Sequence, residues 1–225
     1  MDAGAFQAHT FKVDETGNRL PYLLHLPEGY RGGGDEQWPL VLFLHGASER
    51  GDDPAVLATQ GLPKRVADGI PVPFVLLAPQ CPAYSTWTLE LSGVYALLEE
   101  VSARYRIDRD RTCVTGLSMG GTGSWAMATR YPGRFAAVAP VCGSWLPEAA
   151  PRIDRLPVWT FHGADDLNIP VGHTDKVVDA LRERGSSVRF TRYDHVGHDS
   201  WTRAYADPEL YTWLLAQRRG VARAG

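Results

Sequence analysis

The chain has 225 residues, of which 44% are hydrophobic and 22% charged, with a formal charge of −3 and a pI of about 6.2. That is apolar chain enough for one substantial core. The lack of a basic stripe argues against a nucleic-acid partner, and no apolar run approaches the roughly 20 residues that span a bilayer. Cys81, Cys113 and Cys142 are odd in number and match no zinc spacing. They read as small core hydrophobes of a reduced, cytoplasmic protein. The opening MDAGAFQAHT has neither the basic nor the apolar region of a signal peptide.

In chain order, RLPYLLHLP (19–27) predicts an early, antiparallel strand, and YRGGGDEQW (30–38) a loop. PLVLFLHG (39–46) and PFVLLAPQ (73–80) are unbroken apolar runs, which suit parallel strands covered on both faces. SGVYALLEEVSARY (92–105) puts Val94, Leu97, Leu98, Val101 and Tyr105 on one helical face. Strands RTCVTG (111–116), FAAVAPVCG (135–143), PVWTFHG (157–163) and SVRFTRYD (187–194) follow. Between and after them come helices over 118–132, 171–185 and 208–219, the last opening on a proline that a first turn tolerates. GVARAG (220–225) reads as a frayed tail. This alternation predicts one α/β domain over 1–225, a mostly parallel central sheet with helices on both faces.

The stretch TCVTGLSMGG (112–121) runs from strand to helix through three glycines and one serine. In open parallel sheets, active groups gather at the carboxyl ends of strands. Gly116-Leu117-Ser118-Met119-Gly120 therefore carries the G-x-S-x-G pattern in the context its mechanics require: a strained serine projecting its hydroxyl, with glycines where backbones crowd. A serine hydroxyl needs a base to take its proton. Downstream, FHGADDLNIP offers Asp165 and Asp166, of which Asp166 lies further out on the loop and can turn back towards a histidine. YDHVGHDSW offers His195 and His198, and His198 sits in the glycine-containing loop that can reach over the sheet. For the oxyanion, the backbone N–H of Met119 is the expected first donor and that of Ala47, in LHGASERG, the second. Glu49 and Arg50 could brace that loop as an ion pair.

These motifs, LHGASERGDD, APQCP, GLSMGG, HGADDLNIPV and GHDSW, occur in an order that resembles the α/β-hydrolase superfamily over residues 19–215. Within it, the chain resembles the small phospholipase/carboxylesterase and dienelactone-hydrolase-like esterases, including a bacterial subgroup often labelled peptidase. The resemblance implies Ser118 as nucleophile, Asp166 as acid and His198 as base, and ester hydrolysis with no metal or organic cofactor. Ser48 departs from the pattern, since relatives often carry glycine there. Lid domains of the superfamily are usually inserted after the sixth strand, and residues 142–157 are too few for one. An open cleft is expected, with Trp87, Trp145 and Trp201 in loops near the sheet edge as candidates to line it. The expected partner is a small-molecule ester with a short acyl or aryl group. The same triad would serve a peptidase or thioesterase, and a catalytically silent scaffold would have lost a triad member. A dinucleotide enzyme would need G-x-G-x-x-G after the first strand; GGTGSW lies inside a helix instead.

Overall fold

The computed structural model describes residues 6–13, 18–30 and 34–220. Its eight strands are β1 Phe6–Lys12, β2 Arg19–His25, β3 Trp38–Leu44, β4 Val75–Pro79, β5 Ile107–Leu117, β6 Ala137–Val141, β7 Trp159–Gly163 and β8 Arg189–Tyr193. They form one sheet in the order β1-β2-β4-β3-β5-β6-β7-β8. The β1–β2 and β2–β4 pairs are antiparallel and all others parallel. The unbroken apolar runs are the inner strands, because each residue there is buried whichever face it points to. In β3, Leu40, Leu42 and Leu44 join the core on one face, and Val41 and Phe43 the core on the other. Each such side chain contributes about 2 kcal/mol relative to exposure.

Seven α-helices cover the two faces among the described residues: α1 Gly61–Ala67, α2 Trp87–Arg104, α3 Met119–Arg130, α4 Ala150–Ile153, α5 Gly172–Glu183, α6 Trp201–Ala206 and α7 Pro208–Leu215. Helices α2, α3, α4 and α5 pack Leu97, Trp125, Ile153 and Leu181 on one side, while α1, α6 and α7 pack Leu62, Tyr205 and Trp213 on the other. On α2, Val94, Leu97, Leu98 and Val101 are buried as the periodicity predicts, and Tyr105 is half-buried just past the helix end.

Some elements differ from expectation. Strand β1, an edge strand of alternating exposure, has no counterpart in the sequence reading, nor do the short helices α1, α4 and α6. Helix α2 begins at Trp87, five residues before the expected start, and β5 at Ile107, four residues before. The centre of the glycine-rich loop, 31–33, and the expected tail beyond 220 lie outside the described residues. Between β6 and β7 there is only a short 3-10 turn and α4, with no inserted lid. Among the described residues no helix is long and apolar enough to cross a membrane. All three cysteines are free and buried.

Candidate active site

Strand β5 lies near the centre of the sheet, with Gly116 paired to Leu44 of β3 and Leu117 to Val141 of β6. At its carboxyl end the chain turns into α3 through Ser118, at φ 54° and ψ −116°. This is a conformation that side chains rarely hold, costing on the order of 1–3 kcal/mol. The Ser118 N–H donates to the Val141 carbonyl at 3.0 Å, which pins the turn to β6. The glycines beside it are required by contact: a Cβ on Gly120 would lie 1.8 Å from the Leu44 carbonyl oxygen, and one on Gly116 2.5 Å from the same atom. The tight junction thus exists because β3, β5 and the first turn of α3 meet backbone to backbone there.

Three side chains from three loops converge at this point. His198 Nε2 lies 2.8 Å from Ser118 Oγ, and His198 Nδ1 lies 2.7 Å from Asp166 Oδ2. Asp166 is buried, and its Oδ1 accepts the backbone N–H groups of Asn168 and Ile169, each at 2.9 Å. Burial works to raise its pKa, but the bond from His198 and those two N–H donors prevail and hold the carboxyl below its ordinary value. An ionised Asp166 makes His198 Nδ1 the protonated nitrogen, so Nε2 carries the lone pair that faces the serine hydroxyl. Of the rival residues, His195 is almost fully exposed at φ 57° and stands 3.9 Å from the exposed Asp165, away from Ser118.

Sequence reasoning missed a fourth member. His162, wholly buried in β7, places its Nε2 3.1 Å from Asp166 Oδ2 and 2.8 Å from the Ile169 carbonyl, and its Nδ1 2.8 Å from Thr174 Oγ1. Its one signal was an imidazole near the end of the buried strand WTFHG, just before the candidate acid.

The loop expected to hold the oxyanion is built from buried polar groups. His45 Nε2 accepts the Cys81 N–H at 2.9 Å, leaving Nδ1 protonated to donate to the Gly46 carbonyl at 2.5 Å. Burial depresses its pKa to about 4, so the ring is neutral. The expected Glu49–Arg50 brace takes another form. Glu49 is buried, and its carboxylate accepts the Gly46 N–H at 2.8 Å and the Ser48 hydroxyl at 2.5 Å. Arg50 reaches the carbonyls of Ala47 and Ser85 instead. Ser48 is thereby tied to its neighbour. Ala47 opens a 3-10 turn and Met119 opens α3, positions whose N–H groups have no partner within their own helix.

A cleft of about 370 Å³ opens over Ser118 and His198, walled by Ala47, Gln60, Ile169 and Trp201. Trp201 stands edge-on to His198, with ring centroids 5.4 Å apart, and donates to Gln60 Oε1 at 3.2 Å. The other two tryptophans are not cleft residues. Trp87 is the first residue of α2 rather than part of a loop; it is buried and donates its indole N–H to the His45 carbonyl at 2.9 Å. Trp145 is half-buried, turned towards α3, and donates to Thr129 Oγ1 at 2.9 Å. Among the described residues one cluster has metal-ligating chemistry: Cys142 Sγ, Asp166 and His198, with ligand atoms within 4.8 Å of one another. The carboxylate and imidazole are already bonded to each other, and burial pushes the Cys142 thiol up to about 12.

The open parallel sheet and its serine turn define an α/β-hydrolase fold. A family model described as Esterase matches residues 14–196, and the chain belongs to that family. Over 168 residues it is 27% identical to a poly(3-hydroxyoctanoate) depolymerase of Pseudomonas fluorescens, covering 64% of this chain and 59% of the relative. Over 133 residues it is 28% identical to the bifunctional acetylxylan esterase/xylanase XynS20E of Neocallimastix patriciarum, covering 57% of this chain and 19% of that one. Among solved structures, a thermostable esterase is 37% identical with a TM-score of 0.82 over 95% of this chain and 63% of its own. A ferulic acid esterase, 18% identical with a TM-score of 0.72 over 94% and 98% of the two chains, shares the fold. The chain thus spans less than two thirds of both curated relatives and of the thermostable esterase.

Proposed function

We propose that the chain is a serine carboxylesterase that hydrolyses short-chain acyl or aryl esters through an acyl-enzyme intermediate. The observation that carries this reading is the continuous run of hydrogen bonds from Ser118 Oγ through His198 to a buried Asp166, at 2.8 and 2.7 Å. In the first half-reaction Ser118 Oγ attacks the ester carbonyl while its proton passes to His198 Nε2. Asp166 keeps the imidazole in the correct tautomer and stabilises its cation. The N–H groups of Met119 and Ala47 receive the oxyanion. The tetrahedral species collapses, the C–O bond to the alcohol breaks, and His198 returns its proton to the departing oxygen. Water then takes the alcohol's place and attacks the acyl carbon as its proton passes to His198; the second tetrahedral species collapses to the free acid, and His198 returns that proton to Ser118 Oγ.

Membership of the Esterase family and the named ester chemistry of the acetylxylan esterase relative support ester rather than amide bonds. A cleft of about 370 Å³ with no lid suits small acyl groups, and the Trp201 edge suits a planar one. Hydrolysis of p-nitrophenyl butyrate by the wild type and by Ser118→Ala, side by side, tests the reading. The wild type turns over, and the folded variant loses about 10⁴-fold or more in kcat. Equal, slow rates from both would sink the assignment for esters, and labelling of Ser118 by a phosphonate would then decide whether the serine is reactive at all.

A further inference from the structure

We propose that His162 is a positioning residue for the acid of the triad: its buried Nε2–H, shared between Asp166 Oδ2 and the Ile169 carbonyl, holds the carboxylate and its loop in the orientation that serves His198. The inference rests on the Ser118–His198–Asp166 reading above.

A polar ring inside a parallel strand covered on both faces costs stability unless all its groups are bonded. Leucine or phenylalanine would fill the space without that demand. Here both ring nitrogens are used. Nε2 faces two acceptors, at 3.1 and 2.8 Å, so it carries the proton. Burial holds the ring below its ordinary pKa, so it is neutral, and its bare Nδ1 at 2.8 Å is the nearer of two acceptors for the Thr174 hydroxyl, the Gly143 carbonyl at 3.2 Å being the other. The proton on Nε2 lies between two oxygens, Asp166 Oδ2 and Ile169 O, that would otherwise repel each other. Ile169 also walls the cleft, and its own N–H donates to Asp166 Oδ1. One imidazole therefore ties the acid, its loop and one wall of the substrate site to β7, and through Thr174 to α5. The chain of contacts runs Thr174, His162, Asp166, His198, Ser118.

Oδ2 receives two imidazole donors, His198 Nδ1 at 2.7 Å and His162 Nε2 at 3.1 Å. Taking one away leaves more negative charge for the other, and the carboxylate then grips the His198 cation harder. The titratable groups facing this pair are His198 itself and the Cys142 thiol, with Asp199 beyond the thiol. The thiol stays neutral across the working range, so it does not reverse the sign.

The test compares His162→Phe, which keeps the ring but has no donor, with His162→Gln, which keeps an N–H. Each is followed by kcat, KM and pH profile on p-nitrophenyl butyrate, and by thermal unfolding. For His162→Phe, kcat falls about 10- to 100-fold, KM stays close to the wild-type value, and the acid limb of kcat/KM moves to higher pH. His162→Gln recovers most of the rate and the wild-type limb. A folded His162→Phe that loses only thermal stability, with wild-type kcat and acid limb, overturns the proposal. If His162→Phe does not fold, Thr174→Val decides. It removes the donor to Nδ1 and frees the ring to turn, so kcat falls by a smaller factor; an unchanged kcat and acid limb in Thr174→Val overturn the proposal equally. Ser118→Ala keeps the two ideas apart. If that variant retains turnover, the triad reading has failed, whereas activity lost in it but kept in folded His162→Phe removes only the role of His162.

Discussion

The two edges of the sheet differ in kind. At the carboxyl edge stand Ser118, His198 and Asp166 over a cleft of about 370 Å³. The amino edge holds a larger cavity, about 700 Å³, at the starts of β6, β7 and β8, lined by Arg152, Arg155, Arg218 and Arg219 among others. Three of its charges are paired: Arg218 with Asp108 and Arg219 with Asp110, each at 2.7 Å, and Asp154 with Arg184 at 2.8 Å. Backbone strain is divided in the same way. Among the described residues, the three non-glycine positions with positive φ, Ser118, Cys142 and His195, all follow the carboxyl ends of strands. Buried Glu49, Asp166, His45 and His162 crowd the same edge. Volume alone therefore does not mark the site. Strain and desolvated polar groups do, because both raise the free energy of the fold and persist only where packing enforces them.

Perturbing each edge in turn sharpens the contrast. The largest effect is expected from Ser118→Ala, with turnover down about 10⁴-fold or more, a barrier increase of roughly 5 kcal/mol, and stability little changed, because alanine keeps the Cβ and with it the strained backbone. Next is Gly120→Ala. Its Cβ would meet the Leu44 carbonyl at 1.8 Å, and a backbone clash of that size costs about 4 kcal/mol or more, read as a collapse of the urea midpoint.

A third test uses pH. Folded His45 is neutral down to about 4, while in the unfolded chain it takes a proton below its ordinary 6.5. Stability from this group is therefore fully present above 6.5 and is lost as pH falls towards 4, by roughly 3 kcal/mol. In His45→Gln the unfolding free energy should decline less over that window, and an unchanged slope would contradict the assignment. The smallest effect belongs to the amino edge. Arg219→Ala removes a half-exposed ion pair, so stability should change by at most about 1 kcal/mol and kcat/KM not at all. A clear loss of activity would break the comparison by giving the larger cavity a role in catalysis.

The inner strands were legible because parallel strands buried on both faces read as apolar runs, and β1 was not because FQAHTFK is a half-exposed edge strand. Helix α1 begins at Gly61 with φ 57°, and α6 follows Ser200, whose own backbone is already helical, so neither start carries a side-chain cap to read. The triad candidates were legible from strand ends and loop position, and Asp166 and His198 are the members of each pair that meet. Trp87 was misjudged because its burial depends on Gly123, where any Cβ would fall 2.7 Å from the Trp87 side chain. Glu49 was given the wrong partner, and His162 escaped notice, for a related reason. A carboxylate or imidazole in a one-dimensional pattern looks solvated until the packing partners that enclose it are known.

The bond between Ser118 and His198 closes a loop of 80 residues, and the turn that holds the serine needs β3, more than 70 residues earlier, against its glycines. Neither contact exists in a partly assembled chain. Turnover is thus a clock for the last stage of folding: in refolding from urea, secondary structure should return first, and ester hydrolysis only once β7 and the His198 loop have docked on the sheet already formed.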